Sequence, residues 1–145
     1  FKMGEAAAGN ALGGREEVRV ENTPKCVYTL PEIASVGLTE EEALKKYGKI
    51  RTGRFNFGAN GRAIASSEEE GFVKVICDKY GEILGVHIIG SKATEMISAG
   101  VILMEMEITI EEASEIIYAH PTFSEAILEA CADCLGKALH LPKKK

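Results

Sequence analysis

The chain has 145 residues, enough for one domain with its own core, and its 46% hydrophobic and 27% charged residues describe a folded globular protein. A net charge of −5 leaves no basic face to neutralise phosphates, which excludes nucleic acid as a partner, and Lys143, Lys144 and Lys145 are too few to reverse that. No apolar run approaches the ~18–20 residues of a membrane span, and GVILM at 100–104 is interrupted by Glu105, so no membrane partner is expected.

The chain opens FKMGEAAAGNAL, with neither an initiator Met nor a signal-peptide pattern, and is expected to be a piece of a longer protein. Residues 1–13 are Ala-rich and helix-prone, and Gly13 and Gly14 end that element. REEVRVENTP at 15–24 is polar and reads as a linker. CVYTL then predicts a strand, Pro31 breaks it, and EIASVG resumes extended structure. In LTEEEALKKYG, Thr39 and Glu42 form a capping box and Gly48 stops the helix. IRTGRFNF at 50–57 alternates as a strand, and Asn60-Gly61 signals a turn. GFVKVICD and EILGVHIIG, joined by KYG, predict a hairpin. From Ser91 the period becomes helical, with Ala93, Ile97, Val101 and Met104 on one face. Thr109 with Glu112 opens a further helix through Ile117, and Thr122 with Glu125 opens another to about Leu139. The fold class is therefore α+β, a mostly antiparallel sheet with helices packed on it.

No GxGxxG follows a strand, and neither GxxxxGK(S/T) nor HExxH occurs, so the chain alone is expected to hold no nucleotide and no metal. His87, His120 and His140 have no metal-ligand spacing. Cys131 and Cys134 make a CxxC inside a helical pattern, and no second CxxC completes a zinc site. Together with Cys26 and Cys77 they are expected to be free, buried or half-buried thiols. His87 reads as a core or interface histidine and His140 as a residue favouring the negative end of the last helix. Arg62 reads as a turn residue, and Met96, Met104 and Met106 as packing residues.

One stretch, YAHPTFSEAILEA at 118–130, carries candidate chemistry. Thr122 and Glu125 repeat a capping pattern used twice elsewhere without a histidine, so Glu125 has a structural explanation and His120 is then a loop residue ahead of Pro121. Alternatively, a cis His120–Pro121 bond turns the imidazole away from its own domain. Glu125 would then bind one ring nitrogen and leave the other as a base, with a pKa near ~6.5 suited to proton transfer at neutral pH. A carboxylate can cap a helix with one oxygen and hold an imidazole with the other, so both readings stand.

HPTFSE, preceded by IIYA, resembles the His-Pro-Thr-x-Ser-Glu signature of the pyridine nucleotide-disulfide oxidoreductases, which are flavin-dependent enzymes. PEIASVGLTEEEA, ANGRA, GFVKVICD and GEILGVHIIG resemble the C-terminal dimerisation domain of that family in order, from about Asn22 onward. The resemblance implies that 1–14 is the remnant of the last FAD-domain helix, 15–24 a linker and 25–145 the dimerisation domain. It further implies a homodimer using FAD and NAD, in which His120 and Glu125 form an acid/base dyad serving the partner subunit. The backbone at His120 and Pro121 would lie near the partner's flavin. Within the family the likeness is greatest to the members that reoxidise protein-bound dihydrolipoamide with NAD. The partners then include the lipoyl domains of 2-oxo acid dehydrogenase complexes or of the glycine cleavage system. Glutathione-reductase-like members are the nearest alternative, and a stand-alone interaction module of the same fold is a second. The redox cysteine pair, FAD fingerprint and NAD domain of the family are missing from this stretch, so the isolated chain is expected to be inactive. The bacterial cytoplasm is expected over the mitochondrial matrix.

Overall fold

The computed structural model describes residues 1–18 and 20–142, so Lys143, Lys144 and Lys145 lie outside the described residues. The Ala-rich opening is helix α1 (Lys2–Ala11), followed by irregular chain. CVYTL contributes only the end of a short strand, β1 (Lys25–Val27), against an expected run to Leu30. The ladder stops because Pro31 offers no N–H and the Thr29 hydroxyl donates to Pro31 O at 2.8 Å, closing a turn. β2 (Glu32–Gly37) follows, then α2 (Glu40–Tyr47), whose capping box is complete: Thr39 Oγ1 accepts from Glu42 N, and Glu42 Oε2 accepts from Thr39 N.

β3 (Ile50–Asn56) leads through a 3-10 turn at Phe57–Ala59 into a short helix, α3 (Gly61–Ala65). The Asn60-Gly61 pair is thus not a hairpin turn. Asn60 has extended backbone and its Oδ1 accepts from Arg62 N and Ala63 N, so it caps a helix. β4 (Gly71–Asp78) and β5 (Ile83–Gly90) form the expected hairpin, and α4 (Ala93–Glu105) the expected helix. Its buried face is Ala93, Met96, Ile97, Gly100 and Leu103, while Val101 and Met104 are only half-buried. α5 is confined to Ile110–Ala113, because the Ser114 hydroxyl donates to Glu111 O at 2.8 Å and competes with helix continuation. α6 (Glu125–Cys134) begins after Ser124, not Thr122, and ends five residues before Leu139. Gly136 explains that end. It takes the left-handed conformation (φ 67°), and Gly136 N and Lys137 N donate to Asp133 O and Ala132 O, the paired bonds of a Schellman cap.

The strands form one antiparallel sheet in the order β1-β2-β5-β4-β3. Period-2 alternation sends Val73, Val75 and Cys77 to one face, with Val86, Ile88, Ala34 and Val36, where α4 and α6 cover them. A bulge opposite Ile76/Cys77 makes Leu84 the extra residue of β5. Ile83 therefore joins the main core, while Leu84 packs with Ile76 and Ala43 of α2.

Helix α6 lies on the edge strand β3. Gly53 permits this approach: a Cβ there would meet Ala130 O, Cys134 N and Cys134 Sγ. Ile127, Ala130 and Cys131 are fully buried beneath the helix, and burying Ile127 alone contributes about 1.5–3 kcal/mol. Asp133 Oδ2 accepts from Arg54 N at 2.9 Å and so satisfies an outward N–H of the edge strand.

Candidate active site

The loop between α5 and α6 carries the histidine. The His120–Pro121 peptide bond is cis, as is Leu30–Pro31. His120 Nδ1 lies 2.7 Å from Glu125 Oε1. A carboxylate only accepts, so the proton of this bond belongs to Nδ1. The imidazole is 72% exposed, whereas the Glu125 side chain is only 21% exposed. The acid is thus fixed by the fold and the ring projects from it.

Glu125 is held by its second oxygen. Oε2 accepts from Thr122 N at 2.7 Å, which is half of a capping box. The other half is absent: the Thr122 hydroxyl donates to Ala119 O at 2.8 Å and binds the loop to itself. Glu125 therefore caps the chain with one oxygen and holds His120 with the other, as the compatible reading requires. Thr122 O is in turn bound by Asn60 Nδ2 at 3.0 Å, and the Phe123 ring meets Phe57 edge-on, with centroids 5.9 Å apart. Tyr118, just before the histidine, is half-buried, and burial holds its phenol above the ordinary value.

A second histidine–glutamate pair lies one turn further along α6. Glu129 is 5% exposed and accepts from His140 Nδ1 (2.9 Å), Leu139 N (3.0 Å) and His140 N (3.3 Å). His140 is thus tied to a buried side chain, not to the backbone end of the helix. Sequence reasoning missed this pair and read Asn60 only as part of a turn; the partners of each are distant in sequence, so no local pattern signals them. His87 Nε2 lies 2.9 Å from Leu38 O, a satisfied half-buried histidine.

The four cysteines are free. Cys131 is fully buried, and burial pushes its thiol up to about 12. Cys134 Sγ donates to Val75 O at 3.8 Å and Cys77 Sγ to Arg51 O at 3.7 Å. The interaction between the two thiols holds Cys77 below the ordinary thiol value, and the same interaction, with burial, pushes Cys134 up. Among the described residues, no three His, Cys, Asp or Glu side chains gather as a metal site, and no helix is long and apolar enough to cross a membrane.

An antiparallel sheet backed by helices carries an exposed imidazole bound to a half-buried acid. Residues 23–131 match the family model described as the pyridine nucleotide-disulphide oxidoreductase dimerisation domain, and the chain belongs to that family. Among its relatives is the dihydrolipoyl dehydrogenase of Bacillus subtilis (strain 168), 40% identical over 97% of this chain and 31% of that protein. Another is the dihydrolipoyl dehydrogenase of Rhizobium etli, 49% identical over 81% of this chain and 24% of that protein. The crystal structure of LpdA from Mycobacterium tuberculosis superposes with a TM-score of 0.79 at 30% identity, covering 90% of this chain and 29% of that one. The HOCl-induced flavoprotein disulfide reductase RclA from Escherichia coli gives a TM-score of 0.79 at 25% identity, over 88% and 30% of the two chains. The chain thus spans about a quarter to a third of the length of the relatives it matches.

Proposed function

We propose that this chain is the C-terminal dimerisation domain of a dihydrolipoyl dehydrogenase and that His120 is the acid/base it lends to the partner subunit. The observation that carries the reading is the 2.7 Å bond from His120 Nδ1 to Glu125 Oε1, with the ring otherwise exposed. Residues 1–14 are then the end of the preceding FAD domain and 15–24 the linker between domains. The full-length protein is a homodimer that oxidises dihydrolipoyl groups on the lipoyl domains of its partner complexes.

A thiol attacks a disulfide only as thiolate, so the incoming dihydrolipoyl thiol must lose a proton. Glu125 fixes the proton on Nδ1, which leaves Nε2 to accept it. The imidazolium formed is stabilised by Glu125 and favours thiolate beside it. FAD and NAD would be held by other domains of the full-length protein and would supply the onward two-electron transfer. The sequence has no phosphate-cradling glycine turn, and its share of a flavin site would be the backbone at His120 and Pro121, both exposed residues. Alone, the chain is inactive.

The test is steady-state turnover of dihydrolipoamide with NAD by the full-length protein. His120→Gln lowers kcat by about 10²–10⁴-fold with flavin content unchanged, and Glu125→Gln lowers it less. A fully flavinated His120→Gln dimer with wild-type kcat would remove the role assigned to this residue. Preference for glutathione disulfide over dihydrolipoamide would move the chain to the other branch of the family.

A further inference from the structure

We infer that Asn60 is a positioning residue for the His120–Glu125 pair, acting through Thr122; this rests on the functional reading above. Asn60 is 4% exposed, and all its polar atoms are bound. Oδ1 accepts from Arg62 N (3.1 Å) and Ala63 N (3.0 Å), and Nδ2 donates to Thr122 O (3.0 Å). The orientation of the amide follows from its neighbours: two N–H groups require the oxygen, and a carbonyl requires the nitrogen.

The helix cap needs only the oxygen, and Asp or Ser would cap α3 about as well. The nitrogen is the part of the side chain that capping leaves over, and it reaches across 62 positions of sequence to the catalytic loop. Thr122 is the hub there. Its carbonyl is held by Asn60, its hydroxyl donates to Ala119 O, and its N–H donates to Glu125 Oε2. The other Glu125 oxygen holds His120. Three hydrogen bonds thus run in series from a buried amide to an exposed ring. Phe57, fully buried three residues before Asn60, packs edge-on against Phe123, so the same segment grips the loop by an apolar contact as well. His120, being mostly exposed, draws its orientation from this support and not from packing of its own.

Asn60→Asp separates the two roles. It keeps the cap oxygen and the shape, but replaces the donor facing Thr122 O with an acceptor. Asn60→Ser also caps, is too short to reach Thr122, and adds no charge. Both are followed in this chain by long-range ¹H–¹⁵N correlation of the histidine rings, which reads the tautomer, and by thermal unfolding. In the wild type His120 is expected mainly as the Nδ1–H tautomer at high pH. In both variants Nδ1–H falls to a minor fraction while the fold persists. In the full-length protein, kcat/KM falls about 10–100-fold, as misplacement of an acid/base group by a fraction of an ångström to 1 Å would produce. Folded variants that keep the wild-type tautomer overturn the inference, as does a wild-type His120 that is already Nε2–H. A wild-type Nδ1–H ring lost in both variants, combined with a fully active His120→Gln enzyme, upholds the positioning and removes the catalytic reading instead.

Discussion

Replacing Gly53 with alanine tests how closely the helix that carries Glu125 must lie on the sheet. The added methyl would overlap Ala130 O and stand 2.6 Å from Cys134 N and 2.8 Å from Cys134 Sγ. Two of these three atoms are helix backbone and cannot rotate away, so α6 must lift. Overpacking of this kind costs about 1–3 kcal/mol. Lifting α6 also stretches the bond from Arg54 N to Asp133 Oδ2, and a hydrogen bond to a charged group contributes about 1.5–3 kcal/mol. The sum is about 2.5–6 kcal/mol, a large share of the roughly 5–15 kcal/mol by which domains are stable. At about 3 °C per kcal/mol for a chain of this size, Tm falls by about 8–18 °C. Calorimetry or circular dichroism melts measure it, with Gly58→Ala as control, since a Cβ there meets nothing within 4 Å. A Gly53→Ala melt within about 3 °C of wild type would show that the helix does not sit against the strand as described.

Two further outcomes follow from buried groups on the same helix. Cys131 ionises near ~8.5 when unfolded and is pushed up to about 12 when folded, so between those values the unfolded chain holds fewer protons. Stability therefore falls as pH rises, by about 1.4 kcal/mol per unit from this thiol, and Cys131→Ala flattens the decline in urea unfolding measured from pH 7 to 10; an unchanged slope refutes the assignment. Glu129→Ala frees Leu139 N and His140 N, and hydrogen exchange at those amides rises at least about tenfold while the interior of α6 stays protected; unchanged exchange means the tail is held by something else.

The sheet was legible because its residues obey one local rule. Val73, Val75 and Cys77 alternate, and so do Val86 and Ile88, and nothing distant is needed to read them. The bulge at Leu84 broke no pattern that a run of apolar residues could reveal. Helix ends were less legible, because they depend on side chains that choose between partners. Ser114 took a carbonyl from α5, and Gly136 ended α6 at a position where the apolar pattern would allow it to continue. His120 and Glu125 could be found because they are five residues apart. Asn60 and Thr122, or Glu129 and the turn that brings His140 back, are joined only by the tertiary fold. A buried amide looks like any turn asparagine until its second partner is seen.

The T-x-x-E pattern stands at the start of three helices and has two outcomes, and the difference explains why one copy also holds a histidine. At Thr39–Glu42 and Thr109–Glu112 the helix starts directly after the threonine, so the glutamate is its third residue and folds back over its own first turn. Both the threonine N–H and hydroxyl then bind one carboxylate oxygen, and these bonds lower the glutamate pKa in each case. At Thr122–Glu125 the helix starts at the glutamate itself. The threonine hydroxyl is turned to Ala119 O, and only the N–H reaches the acid. A shift of two residues in where the helix begins converts an acid engaged in capping into one that spans two jobs. What sets the shift is the loop ahead of it, gripped by Asn60 and Phe57 from another part of the chain. The setting of His120 is therefore decided less by its own hexapeptide than by a segment some sixty residues earlier, which no local reading of HPTFSE contains.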